Sequence, residues 1–249
     1  MKKNTEIYGE HAARLDLVCA LRSAERLGMA EGVCNHFSLA VPGKPGQFLI
    51  NPQGLHWSEV MPADLVIVDG DGNHVAGKHQ VEPTAFFIHG CIHRANPRAR
   101  CVLHTHMPYA TTLTIIDGGE LAWASQNALR FHGRVAYDPE YNGLALDAAE
   151  GGRMADKLRD ADVLFLANHG VIVCGPSVAY AFDDLYYLER ASMLQVLAHG
   201  SRRPLRIVPE KIAAATRAQM DAERQQADLY LAALKRLLDR EQPGWRKVR

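Results

Sequence analysis

Residues 101–106, Cys101-Val102-Leu103-His104-Thr105-His106, form an apolar run that ends in two histidines at alternate positions. A short apolar run of this kind predicts a buried strand. Side chains two positions apart on a strand point to the same face, so the imidazoles of His104 and His106 are expected to meet at one point.

Helix and strand patterns lie on both sides of this stretch in an irregular order. The predicted helices cover residues 8–28, 82–96, 107–116, 146–158, 177–198 and 210–238, and the predicted strands cover residues 37–41, 48–51, 65–68, 101–106, 163–167 and 171–173. Because the order is not strictly β-α-β, the pattern predicts an α/β sandwich around a largely antiparallel sheet. No Pro- or Ser-rich linker divides residues 1–249, which are expected to form one domain, with residues 1–6 and about the last six residues as candidates for disorder.

The composition narrows the classes of function. The chain has 28 Lys and Arg against 28 Asp and Glu, and this balance argues against nucleic acid as a partner. The N-terminal segment lacks the apolar region of a signal peptide, and the chain has no apolar run long enough to span a membrane. The 5 cysteines are scattered without a CxxC pair, which favours reduced thiols and a cytoplasmic location.

A third histidine, His169, follows the strand pattern of residues 163–167 in the sequence Asn168-His169-Gly170. Alone it is more simply explained as a turn residue, and a histidine pair alone makes a poor site. A catalytic divalent ion usually has three protein ligands and an open position. His104, His106 and His169 together therefore favour a metal-assisted enzyme that acts on an oxygen-rich small molecule.

An acid, Glu82, lies at the start of the predicted helix before the histidine strand. An acid at this position is common because it interacts favourably with the helix dipole. It also suits a proton shuttle whose pKa is tuned by burial and by the ion. On the same helix, His89 and His93 are four residues apart and could form a second metal site, although packing or hydrogen bonding explains them more simply.

Two short polar segments have the composition of ligand-binding turns, namely residues 35–38 with His36 and Ser38, and residues 51–54 with Gln53 and Gly54. Backbone N–H groups in such turns can face an anion, but ordinary loops have the same composition.

Together these motifs resemble the class II aldolase/adducin-head family over roughly residues 8–200. The matching segments are residues 35–38, 48–54, 82–84, 88–106, 168–171 and 181–191. The resemblance implies a three-layer α/β/α sandwich with a mostly antiparallel central sheet, followed here by a C-terminal helical extension over about residues 207–240. It also implies a homotetramer with active sites at subunit interfaces.

The resemblance also assigns roles to individual residues. His104, His106 and His169 match the family's zinc ligands, with Mn²⁺ or Fe²⁺ as other possible ions, and Glu82 matches its catalytic acid/base. A tyrosine from a neighbouring subunit often completes the family's site, and Tyr137 and Tyr141 lie in the matching region, with Tyr141 chosen as the catalytic candidate. His36, Ser38, Gln53 and Gly54 are the substrate-binding candidates.

Three departures from the family's pattern concern the phosphate of its sugar-phosphate substrates. His36 stands where Asn is usual, Gln53 stands where Thr is usual, and Gln80-Val81 replaces a Ser pair. Because a buried anion needs hydrogen-bond donors, these changes argue against a sugar phosphate as the substrate.

The expected function is a divalent-metal-dependent lyase that cleaves or forms a C–C bond through a metal-stabilised enediolate in a small hydroxy-carbonyl substrate. A decarboxylase, dehydratase or epimerase on the same scaffold would use the same chemistry and is an open alternative. A non-catalytic, adducin-like binding domain is the other alternative, and the retained histidines and Glu82 argue against it.

Overall fold

The computed structural model describes the backbone of residues 2–247 and the side chains of residues 9–247. Its strands are β1 His36–Ala40, β2 Gln47–Ile50, β3 Val66–Asp69, β4 His74–Ala76, β5 Cys101–Thr105, β6 Val135–Asp138, β7 Val163–Leu166 and β8 Gly170–Gly175. Its helices are α1 Lys2–Arg26, α2 Pro83–Ala95, α3 Pro108–Thr114, α4 Gln126–Leu129, α5 Ala148–Leu158, α6 Val178–His199, α7 Glu210–Ala222 and α8 Gln226–Glu241. The sequence predicts disorder for residues 1–6 and about the last six residues. Residue 1 and residues 248–249 lie outside the described residues, and the backbone is helical from Lys2.

The strands form one eight-stranded sheet in the order β4-β3-β2-β1-β5-β8-β7-β6. Every pairing is antiparallel except that of β6 with β7, which is parallel. The strand that carries His104, β5, therefore lies near the middle of the sheet, between β1 and β8.

Alternating side chains divide the core between the two faces of the sheet. Phe37, Leu103 and Val173 pack on one face with residues of α1, α3, α6 and α8. Val102 and Ile172, their neighbours along the strands, pack on the other face with residues of α2 and α5. The result is the predicted three-layer α/β/α sandwich, and the fold prediction is confirmed.

The prediction of one helix over residues 210–238 is wrong, because residues 223–225 form a turn between α7 and α8. At this turn the Arg224 guanidinium reaches the Asp184 carboxylate at 2.5 and 2.8 Å. Asp184 is fully buried on α6 and also accepts from Arg134. A buried carboxylate without its cations would be costly, so this contact outweighs the helical propensity of a segment that contains no Gly or Pro.

The segment between residues 117 and 145 contains α4 and the edge strand β6, neither of which the sequence predicted. Among the described helices, none has both the length and the apolar character needed to cross a membrane.

Candidate metal centre

The register of the central strands brings the three histidines together. β5 pairs with β8 so that His104 lies opposite Ile172 and Thr105 lies opposite Val171. His106 follows the last residue of β5, and His169 precedes the first residue of β8. The ligand nitrogens of His104, His106 and His169 lie within 4.8 Å of one another.

Hydrogen bonds fix the orientation of two of these rings. His104 Nδ1 donates to the carbonyl oxygen of Val171 at 3.0 Å, and His106 Nδ1 donates to the Glu31 carboxylate at 2.5 Å. In neutral rings both Nε2 atoms then carry lone pairs, although they face each other at 3.2 Å. Two nitrogens about 2.0–2.1 Å from one tetrahedral ion have nearly this separation. The donor set therefore fits a divalent cation, and Val171 and Glu31 are partners of the kind that orient metal-bound histidines.

Burial keeps two of the ligands, His104 and His169, in the form that binds metal. The pKa of His104 is well below its ordinary value, first because the ring is buried and then because other histidines surround it. The same causes lower the pKa of His169 to about 4. Neutral imidazoles are the metal-binding form, so these rings are ready to coordinate at neutral pH.

Asn168 and Gly170 shape the turn that leads into β8. Asn168 has a positive φ of 57°, which Asn tolerates better than most side chains. At Gly170 a Cβ would lie 2.6 Å from the Thr105 carbonyl oxygen and 2.7 Å from the His106 ring. Gly170 therefore allows the start of β8, next to His169, to lie close to the end of β5, next to His106.

Gly170→Ala is expected to lower the free energy of unfolding by roughly 1–3 kcal/mol and to weaken metal binding, because the added methyl displaces His106 or the β5 backbone. Gly152→Ala is the matched control, since a Cβ at this position in α5 meets nothing within 4 Å. Alanine should be neutral or stabilising there. Urea unfolding and zinc titration measure both variants, and equal behaviour of the two would contradict the role of Gly170.

The histidines open into a cavity of about 430 Å³. Its polar lining residues also include Glu82, Thr84, His36, Gln53 and Gly54, and its other lining residues are Val33, Cys34, Ile88, Leu144 and Ala145. Three of the four substrate-binding candidates, His36, Gln53 and Gly54, thus face the same space as the metal centre.

Glu82 has the first of the two roles that the sequence left open, that of an acid at a helix N-terminus. It is the N-cap of α2, and its carboxylate accepts hydrogen bonds from the Ala85 backbone N–H at 2.9 Å and from the Thr84 hydroxyl. This capping holds the carboxylate at the cavity wall. Its proton-transfer role remains a prediction.

Ser38, the fourth substrate-binding candidate, is fully buried and is not among the residues that line the cavity. Its hydroxyl lies 2.5 Å from His89 Nδ1 and 2.7 Å from His93 Nε2, and His89 Nε2 lies 2.8 Å from His36 Nδ1. The hydrogen bond between His36 Nδ1 and His89, which Ser38 orients in turn, fixes the His36 ring and leaves its Nε2 as the free nitrogen. Among the described residues, the only group with the spacing of a metal site is the His104, His106 and His169 triad, so His89 and His93 have the hydrogen-bonding role.

The buried rings make stability depend on pH. Burial lowers the pKa of His93 from an ordinary 6.5 to about 4. Between pH 6.5 and about 4 the imidazole of His93 is protonated in the unfolded chain but not in the folded chain. The free energy of unfolding therefore falls as the pH drops through this range, by roughly 1 kcal/mol per pH unit for this ring. Urea unfolding of the metal-free protein should show a shallower pH dependence for His93→Gln than for the wild type. The same change at the exposed His74 is the control, and an identical slope in His93→Gln would contradict the assignment.

The two candidate tyrosines occupy different environments. Tyr141 lies in the exposed loop after β6, with its ring centroid 6.4 Å from that of His169 in the same chain. The Tyr137 hydroxyl accepts a hydrogen bond from the Leu121 backbone N–H at 2.9 Å, and its ring stacks on Phe165. Tyr141 lies near the metal centre, and its catalytic role stays a prediction. Tyr137 packs against Phe165 and accepts a backbone hydrogen bond, so it has a structural role.

Sequence reasoning missed Glu31, which precedes its partner His106 by 75 residues and follows α1 in an exposed turn. No local motif marks this residue. It also missed Val33 and Leu144, whose exposure at the mouth of the cavity depends on the tertiary fold.

The fold and the triad together define an α/β sandwich protein with a candidate three-histidine metal centre. Residues 15–196 match the sequence profile of the Class II Aldolase and Adducin N-terminal domain. The chain belongs to this family, as the sequence motifs predicted.

Individual relatives agree with this assignment. The crystal structure of an aldolase II superfamily protein from Pseudomonas syringae superposes with a TM-score of 0.89 at 33% identity, over 96% of each chain. The L-fuculose 1-phosphate aldolase of Glaciozyma antarctica superposes with a TM-score of 0.83 at 26% identity, over 93% of this chain and 92% of that one. The decarboxylase NovR of Streptomyces niveus is 32% identical over 219 residues, which are 86% of this chain and 80% of NovR.

Proposed function

We propose that this protein is a divalent-metal-dependent lyase of the aldolase type, with zinc as the ion and a small hydroxy-carbonyl compound as the substrate. One observation carries the proposal: the histidine triad and Glu82 face the same cavity. His104, His106 and His169 would hold the ion. When bound, it would polarise the substrate carbonyl and stabilise negative charge that develops on its oxygen.

The chain's own groups supply the remaining steps. The Glu82 carboxylate is held at the cavity wall by Ala85 and Thr84, where it accepts or returns the proton at the carbon next to the carbonyl. The free Nε2 of His36 and the Gln53 amide orient the substrate oxygens. Tyr141, close to His169, is proposed as a further proton donor at the mouth of the cavity.

A decarboxylase is the second candidate, and the similarity to NovR favours it. Cleavage of a C–C bond to a carboxylate leaves the same negative charge next to a carbonyl, so the triad and Glu82 serve both reactions. Product analysis separates them, because an aldolase releases two carbonyl fragments and a decarboxylase releases CO₂.

One experiment tests the step that both reactions share. The zinc-loaded protein is incubated in D₂O with hydroxyketones and 2-oxo acids, and NMR follows exchange of the hydrogen next to the carbonyl. We expect exchange that depends on the ion and on Glu82. An absence of exchange, together with an absence of cleavage products across the panel, would contradict the lyase proposal.

We also propose a cytoplasmic homotetramer with active sites at subunit interfaces, a small-molecule substrate, and neither nucleic acid nor membrane as a partner. All 5 cysteines are free thiols and 4 of them are buried, which suits a reducing compartment. Ile115 and Ile116 are exposed apolar side chains of the kind that subunit contacts cover. Light scattering after size exclusion measures the mass, and a monomer would contradict the tetramer.

A further inference from the structure

The cavity offers few donors for a phosphate group. Among residues 9–247, whose side chains the structure describes, no Lys or Arg lines it. The Thr84 hydroxyl donates to Glu82, and His36 Nδ1 is engaged by His89. Val81, which precedes the acid, packs against the apolar cluster around Phe48. His36 Nε2, the side-chain amide of Gln53 and the backbone of Gly54 remain, and a dianion held by so few neutral donors would be poorly compensated for its lost hydration.

The remaining lining of the cavity is mostly apolar. Ile88 and Ala145 are buried, and Val33 and Leu144 are 42% and 69% exposed. Apolar side chains that line a ligand cavity contact the hydrocarbon part of a ligand, and the few polar groups fix its orientation. The cavity therefore combines groups that bind oxygen ligands with a surface that suits hydrocarbon.

We propose that the substrate is a chelating hydroxy- or oxo-carbonyl compound whose other end is an uncharged aliphatic or aromatic hydrocarbon, seated against Val33, Ile88 and Leu144. This inference rests on the proposed metal site for the chelating end. The hydrocarbon end rests on the cavity wall alone. Leu144 is then a specificity-determining residue, because it contacts the part of the substrate that does not react.

Hydroxamates test this inference by binding, without any need for turnover. They chelate an ion through two oxygens and can carry any tail. Calorimetry measures the affinity of zinc-loaded protein for acetohydroxamate, for hydroxamates with propyl, pentyl and benzyl tails, and for one with a phosphonate at the end of a propyl tail. We expect affinity to rise about three- to fourfold for each buried methylene group. The phosphonate compound should bind at least about tenfold more weakly than its pentyl counterpart.

A positive charge at position 144 should reverse the preference for the pentyl hydroxamate over the phosphonate hydroxamate. Leu144→Lys is expected to weaken the pentyl compound and strengthen the phosphonate compound. Leu146→Lys is the matched control, because Leu146 lies in the same loop with 58% exposure and does not line the cavity. It adds the same charge and should leave the order of affinities unchanged.

The outcomes separate the two claims. If acetohydroxamate binds only when zinc is present but tail length has no effect, or if the phosphonate binds best, the hydrocarbon inference is overturned and the metal site stands. Equal effects of the Leu144 and Leu146 changes would also overturn it. If no hydroxamate binds to protein that contains zinc, the ion has no open position, and the proposed function falls together with the inference.

Discussion

Glu82→Gln is expected to lower turnover by about 10²–10⁴-fold while the ion content stays at the wild-type value. Glutamine keeps an oxygen that can accept the hydrogen bond from the Ala85 N–H, so the cap of α2 and the shape of the cavity are preserved. What is lost is a group that can take a proton at neutral pH. The hydrogen next to the substrate carbonyl should then cease to exchange with solvent.

Steady-state kinetics, elemental analysis and NMR exchange measure these effects on the same preparation. Glu59→Gln is the control, because Glu59 is an exposed acid whose side chain accepts a hydrogen bond from the His56 backbone N–H outside the cavity. Full turnover in Glu82→Gln would show that the shuttle is assigned to the wrong residue. A parallel loss of ion and turnover would point to Glu82 as a ligand instead.

Removal of the ion is expected to lower turnover by about 10³-fold or more, because charge stabilisation by a divalent ion amounts to several kcal/mol in the transition state. A chelator followed by buffer exchange gives the metal-free protein. Addition of zinc, manganese or iron(II) should restore turnover in the wild type and fail to restore it in His104→Ala. Since His104 is buried and bonded to Val171, circular dichroism must show that this variant is folded.

Full turnover after complete removal of the ion would contradict a metal-dependent reaction. Recovery in His104→Ala that equals recovery in the wild type would place the ion elsewhere. The rates with zinc, manganese and iron(II) are compared at matched occupancy. A higher rate with manganese or iron(II) than with zinc would contradict the proposal of zinc as the ion.

The features that the sequence predicts are those with local signals. The alternation of His104 and His106, the Asn168-His169-Gly170 turn and the acid before Pro83 are each contained within a few residues. Their types and spacing were enough for the family, the three-layer fold and the histidine triad. The predicted strands around them agree with the observed strands to within one or two residues for the same reason.

What the sequence did not show depends on contacts between distant segments. Glu31 reaches His106 across 75 residues, and Arg224 interrupts a helical pattern because Asp184 lies on a different helix. Ser38 shares the polar segment 35–38 with His36, so the sequence predicts both as substrate-binding residues. Only the packing of α2 shows that its hydroxyl faces His89 and His93 instead.

Ion content per chain, measured by elemental analysis, tests whether His104, His106 and His169 hold one divalent ion. The proteins are wild type, His169→Ala and, as the control, His74→Ala at an exposed position on β4, each purified without added metal and again after loading with zinc. We expect about one ion per chain in the wild type and the control, and almost none in His169→Ala. A wild type that holds no ion after loading with zinc or manganese would contradict the metal centre and leave an adducin-like binding domain as the better account of this chain.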